Sequence, residues 1–155
     1  MIVLDGKKTA AEIRTELAAS LPILVDAHGR APGLAVVLVG EDPASQVYVR
    51  NKERACAEVG IASFPHHLPA DATQAELEAL IATLNADPAV DGILLQLPIP
   101  RGLDSRALLE QIDPGKDVDG FHPQNMGRLA QGLSGFAPCT PAGVIELLRR
   151  YDIPT

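Results

Sequence analysis

The apolar positions of the chain form helical stripes in some segments and short continuous runs in others. From Lys8 onward an apolar residue recurs every four positions, which predicts a helix that Pro22 kinks or ends. Thr73 and Glu76 have the spacing of a capping box, and a second helical stripe follows them. The first stripe consists of Ile13, Leu17 and Leu21, and the second of Leu77, Leu80, Ile81 and Leu84.

Three further helices are predicted from their start and stop signals. Residues 42–59 open with Asp-Pro, which suits an N-cap and first turn, and Gly60 suits the C-terminal cap. Residues 104–112 and 140–150 open with an Asp and a Thr-Pro pair in the same way. Residues 113–138 carry five glycines and three prolines and are predicted to be mostly loop.

Three apolar runs, 34–39, 61–68 and 92–97, predict β-strands, although Pro65 weakens the strand pattern of the second. The continuous apolarity of 34–39 is typical of a central parallel strand that is covered on both faces. Strands and helices therefore alternate in the order β-α-β-α-β-α, which predicts a three-layer α/β domain with a mostly parallel sheet. Ligands of such sheets bind outside the carboxyl ends of the strands.

Length, charge and cysteine content narrow the class of protein. The 155 residues suit one domain. A net charge of −7 and only three phenylalanines, two tyrosines and no tryptophan argue against a nucleic-acid partner. The longest apolar run is too short to span a bilayer and no leader opens the chain, so we expect a cytoplasmic protein with no membrane partner. Two distant cysteines argue against a disulfide framework.

The helix predicted over 42–59 places a lysine on its apolar face. At 100° per residue, one arc of this helix holds Ser45, Tyr48, Val49, Lys52, Ala55, Cys56 and Val59. Lysine stems often lie on apolar surface for packing alone. Here, however, the helix follows a strand directly, and a desolvated lysine has a lowered pKa that suits general acid–base catalysis. Tyr48 lies one turn before Lys52, where it could hydrogen-bond the amine. We therefore interpret Lys52 as a functional residue.

Two other polar positions lie near predicted strand ends. Gln96 is the one strongly polar residue of 92–97, and it is either a core amide satisfied by the backbone or a residue that orients a substrate. Residues 116–120 carry two aspartates before a glycine. A calcium loop would need a glutamate at the twelfth position from Asp117, where Arg128 stands, so on this segment alone an Asx-rich turn is favoured.

The remaining reactive residues lack the spacing of a known site. No metal is predicted, because the four histidines lack the spacing of metal ligands. Cys139 precedes a helix start, which can activate a thiol, but no supporting base is placed by spacing, so a packing role is favoured. Neither G-x-G-x-x-G nor a P-loop occurs, since Glu110 stands where the P-loop before Lys116 would need its first glycine.

Four segments, taken together, resemble one family along essentially the whole chain. They are Gly40–Lys52, Asp91–Pro98, Pro114–Gly120 and Pro138–Gly143. The family is the bifunctional methylenetetrahydrofolate dehydrogenase / methenyltetrahydrofolate cyclohydrolase. The resemblance implies NADP-linked oxidation of 5,10-methylene- to 5,10-methenyltetrahydrofolate, hydrolysis to 10-formyltetrahydrofolate, no metal and a homodimer.

The resemblance also implies roles for individual residues. Lys52 matches the central catalytic lysine, and Tyr48 matches the tyrosine that orients it and covers the folate. Gln96 matches the glutamine that hydrogen-bonds the lysine. Asp119 matches the carboxylate that binds the amino and ring N–H groups of the pterin, and a carboxylate accepts two such parallel bonds well. Ser45 belongs to the same substrate-binding segment.

Family members continue into a dinucleotide-binding domain beyond the segments matched here. The resemblance therefore implies a tetrahydrofolate-binding catalytic domain over residues 1–120, and a connecting loop and linker helix over 121–155. We expect no NADP binding and no dehydrogenase step from these 155 residues alone. The alternatives are a non-catalytic folate-binding or interaction module and an unrelated lyase that forms a Schiff base through Lys52.

Overall fold

A computed structural model describes residues 3–154 of the chain. This part contains six helices and three strands in alternating order up to the fourth helix. The helices are α1 (Gly6–His28), α2 (Pro43–Val59), α3 (Gln74–Ala86), α4 (Ser105–Gln111), α5 (Pro123–Ala130) and α6 (Cys139–Arg150). The strands are β1 (Gly33–Val39), β2 (Ala62–Leu68) and β3 (Gly92–Leu95).

The three strands form one parallel sheet in the order β2-β1-β3, with β1 in the centre. Gly33 to Val39 of β1 lie opposite Ala62 to Leu68 of β2, while residues 34–37 pair with β3. Pro65 is tolerated because β2 is an edge strand, where a missing backbone N–H interrupts fewer ladder bonds.

Helices cover both faces of this sheet. Val37 belongs to an apolar cluster that includes Leu77 of α3 and Leu108 of α4, and all three side chains are fully buried. Its neighbour Val36 points to the opposite face and packs with Val49 of α2. The three-layer α/β fold with a parallel sheet is therefore confirmed.

Two helices of the structure differ from what the sequence predicts. α1 continues past Pro22 to His28 because Pro22 is exposed, so water can bind the carbonyl that the missing N–H would have served. Residues 113–138 are mostly turn and loop, as predicted, but they also contain α5, which was not predicted. Pro123 occupies the first turn of α5, and His122 caps it by accepting a hydrogen bond from the N–H of Gln124 on its Nδ1 at 3.1 Å.

Asp91 joins the amino ends of β1 and β3. Its two carboxylate oxygens accept from the guanidinium of Arg30 at 2.6 and 2.8 Å, and one of them also accepts from the N–H of Gly33 at 2.7 Å. The hydrogen bond from Arg30 is the main reason that the pKa of Asp91 is lowered to about 2. Asp91, the first residue of the Asp91–Pro98 segment, thus has a structural role before the amino end of β3, whereas Gln96 follows its carboxyl end.

None of the helices described over residues 3–154 combines the length and the apolarity that crossing a membrane requires. The last helix, α6, is tied to the first by charge. Arg150 of α6 donates two hydrogen bonds to the carboxylate of Glu16 in α1, at 2.8 and 2.6 Å. α6 has no buried residue, and its Val144 and Ile145 are each 52% exposed.

Candidate active site

α2 begins after the carboxyl end of β1 and brings Lys52 next to Gln96, which follows β3. The carboxylate of Asp42 accepts from the N–H of Ser45 at 2.8 Å, and Gly60 ends the helix with a φ of 91°. The predicted apolar arc is confirmed at Ser45, Val49, Cys56 and Val59, which are buried. Lys52 lies at the edge of this arc and is half-buried, so its stem packs while its amine reaches the site.

The amine of Lys52 donates a hydrogen bond to Oε1 of Gln96 at 2.9 Å. Gln96 follows directly after β3, and its own N–H donates to the carbonyl of Val37 at 2.8 Å. Its Nε2 donates to the carbonyl of Leu97 at 2.6 Å, which turns Oε1 toward the lysine. The glutamine is therefore held at both ends and presents a neutral acceptor to Lys52.

Asp119 lies close enough to Lys52 for the charges of the two side chains to interact. It is half-buried, and burial raises the pKa of its carboxyl group, while the positive charge of Lys52 acts in the opposite direction. The negative charge of Asp117 also raises the pKa of Asp119. The structure thus brings Lys52, Gln96 and Asp119 together from three different segments.

Cys139, the first residue of α6, borders this site. Its thiol donates to the carbonyl of Val118 at 3.4 Å and also interacts with the carboxylate of Asp119. Burial of the sulfur and the charge of Asp119 raise the pKa of the Cys139 thiol. Cys139 is therefore not an activated nucleophile, in agreement with the favoured interpretation of the sequence.

Tyr48 and Ser45 occupy different environments from those of Lys52. Tyr48 is 61% exposed, and within residues 3–154 no hydrogen bond joins it to Lys52. Most of its side chain is open to solvent. Ser45 is a buried residue of the first turn of α2. Its N–H and its hydroxyl both hydrogen-bond Asp42 and lower the pKa of that carboxylate. Its contacts in this structure are therefore with the helix start.

The sequence did not predict most of the long-range contacts that residues 114–120 make. The amine of Lys116 donates to three carbonyls at the end of α3, those of Leu84, Asn85 and Asp87, at 3.1, 2.8 and 2.9 Å. Asp117 is buried and accepts three N–H groups. No local spacing signals these contacts, because the partners of Lys116 are about thirty residues away in the chain.

An apolar groove of about 490 Å³ runs beside Lys52 between α2 and the start of α6. Its lining includes Leu34, Ala55, Leu94, Val118, Phe136 and Cys139. A larger groove of about 750 Å³ lies across α2 and contains none of the three clustered site residues. In the described part of the chain, no group of His, Cys, Asp or Glu side chains is arranged to hold a metal ion.

Comparison with known proteins gives one consistent result. Residues 4–119 match the family model described as "Tetrahydrofolate dehydrogenase/cyclohydrolase, catalytic domain". The bifunctional protein FolD of Desulfovibrio desulfuricans is 67% identical over 155 residues, which is 100% of this chain and 54% of that protein.

Two solved structures agree with this match. The bifunctional FolD of Campylobacter jejuni superposes with a TM-score of 0.95 at 51% identity, over 99% of this chain and 54% of that one. The Trypanosoma brucei enzyme, solved with NADP and an inhibitor, gives a TM-score of 0.93 at 38% identity, over 98% of this chain and 52% of that one. The chain thus spans about half the length of the curated relatives it matches.

Proposed function

Because this chain belongs to the tetrahydrofolate dehydrogenase/cyclohydrolase family, we propose that it is the folate-binding catalytic domain of a methylenetetrahydrofolate dehydrogenase / methenyltetrahydrofolate cyclohydrolase. The proposed reactions are the NADP-linked oxidation of 5,10-methylenetetrahydrofolate to the 5,10-methenyl form and its hydrolysis to 10-formyltetrahydrofolate. The observation that carries the proposal is the hydrogen bond of Lys52 to Gln96 next to a half-buried carboxylate, Asp119.

For the hydrolysis, Lys52 is the proton-transfer group. Its amine, when neutral, takes a proton from the water that attacks the methenyl carbon, and it returns that proton to N5 as the bond between this carbon and N5 breaks. The remaining hydroxyl proton is released to solvent as the formyl C=O forms, so hydrolysis of the cationic methenyl group releases one proton overall. The product is the 10-formyl compound. Gln96 accepts an N–H of Lys52 in both protonation states, because its amide oxygen is neutral and its orientation is fixed by the bond to Leu97.

Asp119 is the proposed pterin-binding group. A carboxylate accepts two parallel hydrogen bonds from the amino group and ring N–H of a pterin edge. Partial burial makes such bonds stronger than they are in open water, and the same burial raises the pKa of Asp119. Tyr48, exposed beside the site, is proposed to cover the bound folate with its ring, and Ser45 to contribute by fixing the first turn of α2.

The described residues do not fit a dinucleotide pyrophosphate, which binds to free N–H groups at a helix start. Five of the six helices of residues 3–154 have a side chain on these groups, namely Asp5, Asp42, Thr73, Asp104 and His122. α6 lacks such a cap but starts beside the Asp119 carboxylate, which would repel a phosphate. No hydride-transfer step is therefore assigned to these residues, and the NADP-linked oxidation is proposed for a full-length enzyme on family membership.

The proposed ligands are tetrahydrofolate derivatives, and the proposed location is the cytoplasm. Both cysteines are free thiols, which agrees with a reducing compartment. A homodimer stays a prediction that the family resemblance implies.

The test is the hydrolysis of 5,10-methenyltetrahydrofolate by a full-length enzyme that carries this domain, before and after Lys52→Met. Methionine keeps an unbranched side chain in place but removes the amine, so hydrolysis should fall by at least about a hundredfold. Lys8→Met on α1, whose side chain is 68% exposed, is the matched control and should change nothing.

Circular dichroism should show that both variants keep their fold. Hydrolysis near the wild-type rate in Lys52→Met would contradict the catalytic assignment. Folate binding by a wild-type enzyme that hydrolyses nothing would indicate the non-catalytic folate-binding module instead.

A further inference from the structure

Asp117 is the one charged side chain that is buried within residues 3–154, with 1% of its surface exposed. A buried carboxylate costs several kcal/mol unless hydrogen bonds replace its water. Asp117 receives them from three donors. Its Oδ1 accepts from the N–H of Phe121 at 3.3 Å, and its Oδ2 accepts from the N–H of His122 and from Nδ2 of Asn125, both at 2.9 Å.

Asn125 is the side-chain partner of this carboxylate and is itself 3% exposed. Besides its bond to Asp117, its Nδ2 donates to the carbonyl of Pro114 at 2.9 Å. Asn125 lies in the first turn of α5. Its two hydrogen bonds therefore connect that helix to Pro114 and Asp117, the two ends of the turn at residues 114–117. Asp117 also pairs with Ile93 of β3 in a single parallel bridge.

Asp119 lies inside the loop that these bonds close. The chain passes beside β3 at Asp117, turns through Asp119 and Gly120, and returns to the Asp117 carboxylate at Phe121. Gly120 has a φ of 67°, and a Cβ there would lie 2.7 Å from the carbonyl carbon of Ala137. The backbone on both sides of Asp119 is thus tightly determined.

We propose that Asp117 and Asn125 are positioning residues that set the Asp119 carboxylate for two parallel hydrogen bonds to the pterin. This inference rests on the proposed function. A two-point bond to a flat heterocycle tolerates only a small displacement of the carboxylate, so a rigid supporting loop has a direct effect on affinity. A neutral, apolar anchor would hold a surface loop at a lower cost in desolvation, but it could not bind three diverging N–H donors at once.

A double-mutant cycle tests the inference, with the affinity of this chain for tetrahydrofolate measured by calorimetry under reducing conditions. The variants are Asp117→Asn, Asp119→Asn and the two together. Asp117→Asn turns an NH₂ group toward N–H donors, so it should shift the loop and weaken binding by about tenfold. In the Asp119→Asn background the same change should alter the affinity by less than about twofold, because its effect passes through Asp119.

A second variant covers the case in which Asp117→Asn does not fold. Asn125→Ala leaves the two backbone donors of Asp117 in place and should weaken tetrahydrofolate binding by about threefold to tenfold. Gln124→Ala, an exposed neighbour on α5, is the control and should bind as the wild type does.

The possible failures are distinguishable. Full retention of the Asp117→Asn or Asn125→Ala effect in the Asp119→Asn background would mean a general loosening of the domain and would overturn the positioning role. If Asp117→Asn or Asn125→Ala unfolded at a lower urea concentration than the wild type but bound tetrahydrofolate with unchanged affinity, the two residues would have a purely structural role. Unchanged affinity in Asp119→Asn itself would overturn the proposed function and the inference with it.

Discussion

The clamp formed by Asp91 and Arg30 allows a quantitative prediction about stability and pH. Folding lowers the pKa of Asp91 from an ordinary 3.8 to about 2, mainly through the hydrogen bond from Arg30. At 1.36 kcal/mol per pKa unit, this corresponds to at most ~2.5 kcal/mol. The side chains of Arg30 and Asp91 are 40% and 47% exposed, so solvent screening reduces the expected contribution to ~1 kcal/mol.

The sign of the pH dependence follows from the lowered pKa. The stabilisation is fully present above pH 3.8, the ordinary pKa of an aspartate, and it is lost as the pH falls from there through about 2. Asp91→Asn should therefore lower the free energy of unfolding by ~1 kcal/mol at neutral pH and by almost nothing at the acid end of this range.

Urea unfolding of the wild type and Asp91→Asn at several pH values is the appropriate measurement. Asp71→Asn, a change at an exposed aspartate before α3, is the control and should show no comparable pH-dependent difference. If Asp91→Asn were equally destabilised at neutral pH and near pH 2, the loss would come from packing rather than from the charged pair, and the reasoning would be refuted.

Three further predictions concern the site. Gln96→Leu removes the acceptor that holds Lys52 and should reduce methenyl hydrolysis by about tenfold to a hundredfold in steady-state kinetics, with Gln74→Leu as the control. Asp119→Asn should weaken tetrahydrofolate binding by ~2–4 kcal/mol in calorimetry. Because burial raises the pKa of Asp119, the affinity of the wild type should begin to fall at a higher pH than it would with an ordinary aspartate. As the check, the affinity of Asp119→Asn should not change with pH over the same range. NADP titrated into this chain should produce no binding heat, and micromolar affinity would show that the nucleotide site has been misplaced.

Much of the fold could be predicted because its signals are local. The capping box of Thr73 and Glu76 forms as predicted, since its partners are only three residues apart. The Asp-Pro start of α2 and its glycine end are also local, and they place Lys52 correctly on the helix. α5 was missed because its cap is a histidine, which is less typical of helix starts than serine, threonine or aspartate, and because the surrounding glycines and prolines indicate loop.

Some features of the candidate site likewise follow from local signals in the sequence, and others do not. The residue types, the helical arc of Lys52 and the strand-end position of Gln96 follow from spacing along the chain, so the sequence by itself determined which side chains have suitable chemistry. Only the tertiary structure decided which of them meet. The bond of Lys52 to Gln96 spans 44 residues, and the site of Asp119 depends on the buried contacts of Asp117 with a helix that follows it. Such contacts are set by how the sheet and helices pack, and packing between distant segments leaves no periodic or local pattern in the sequence.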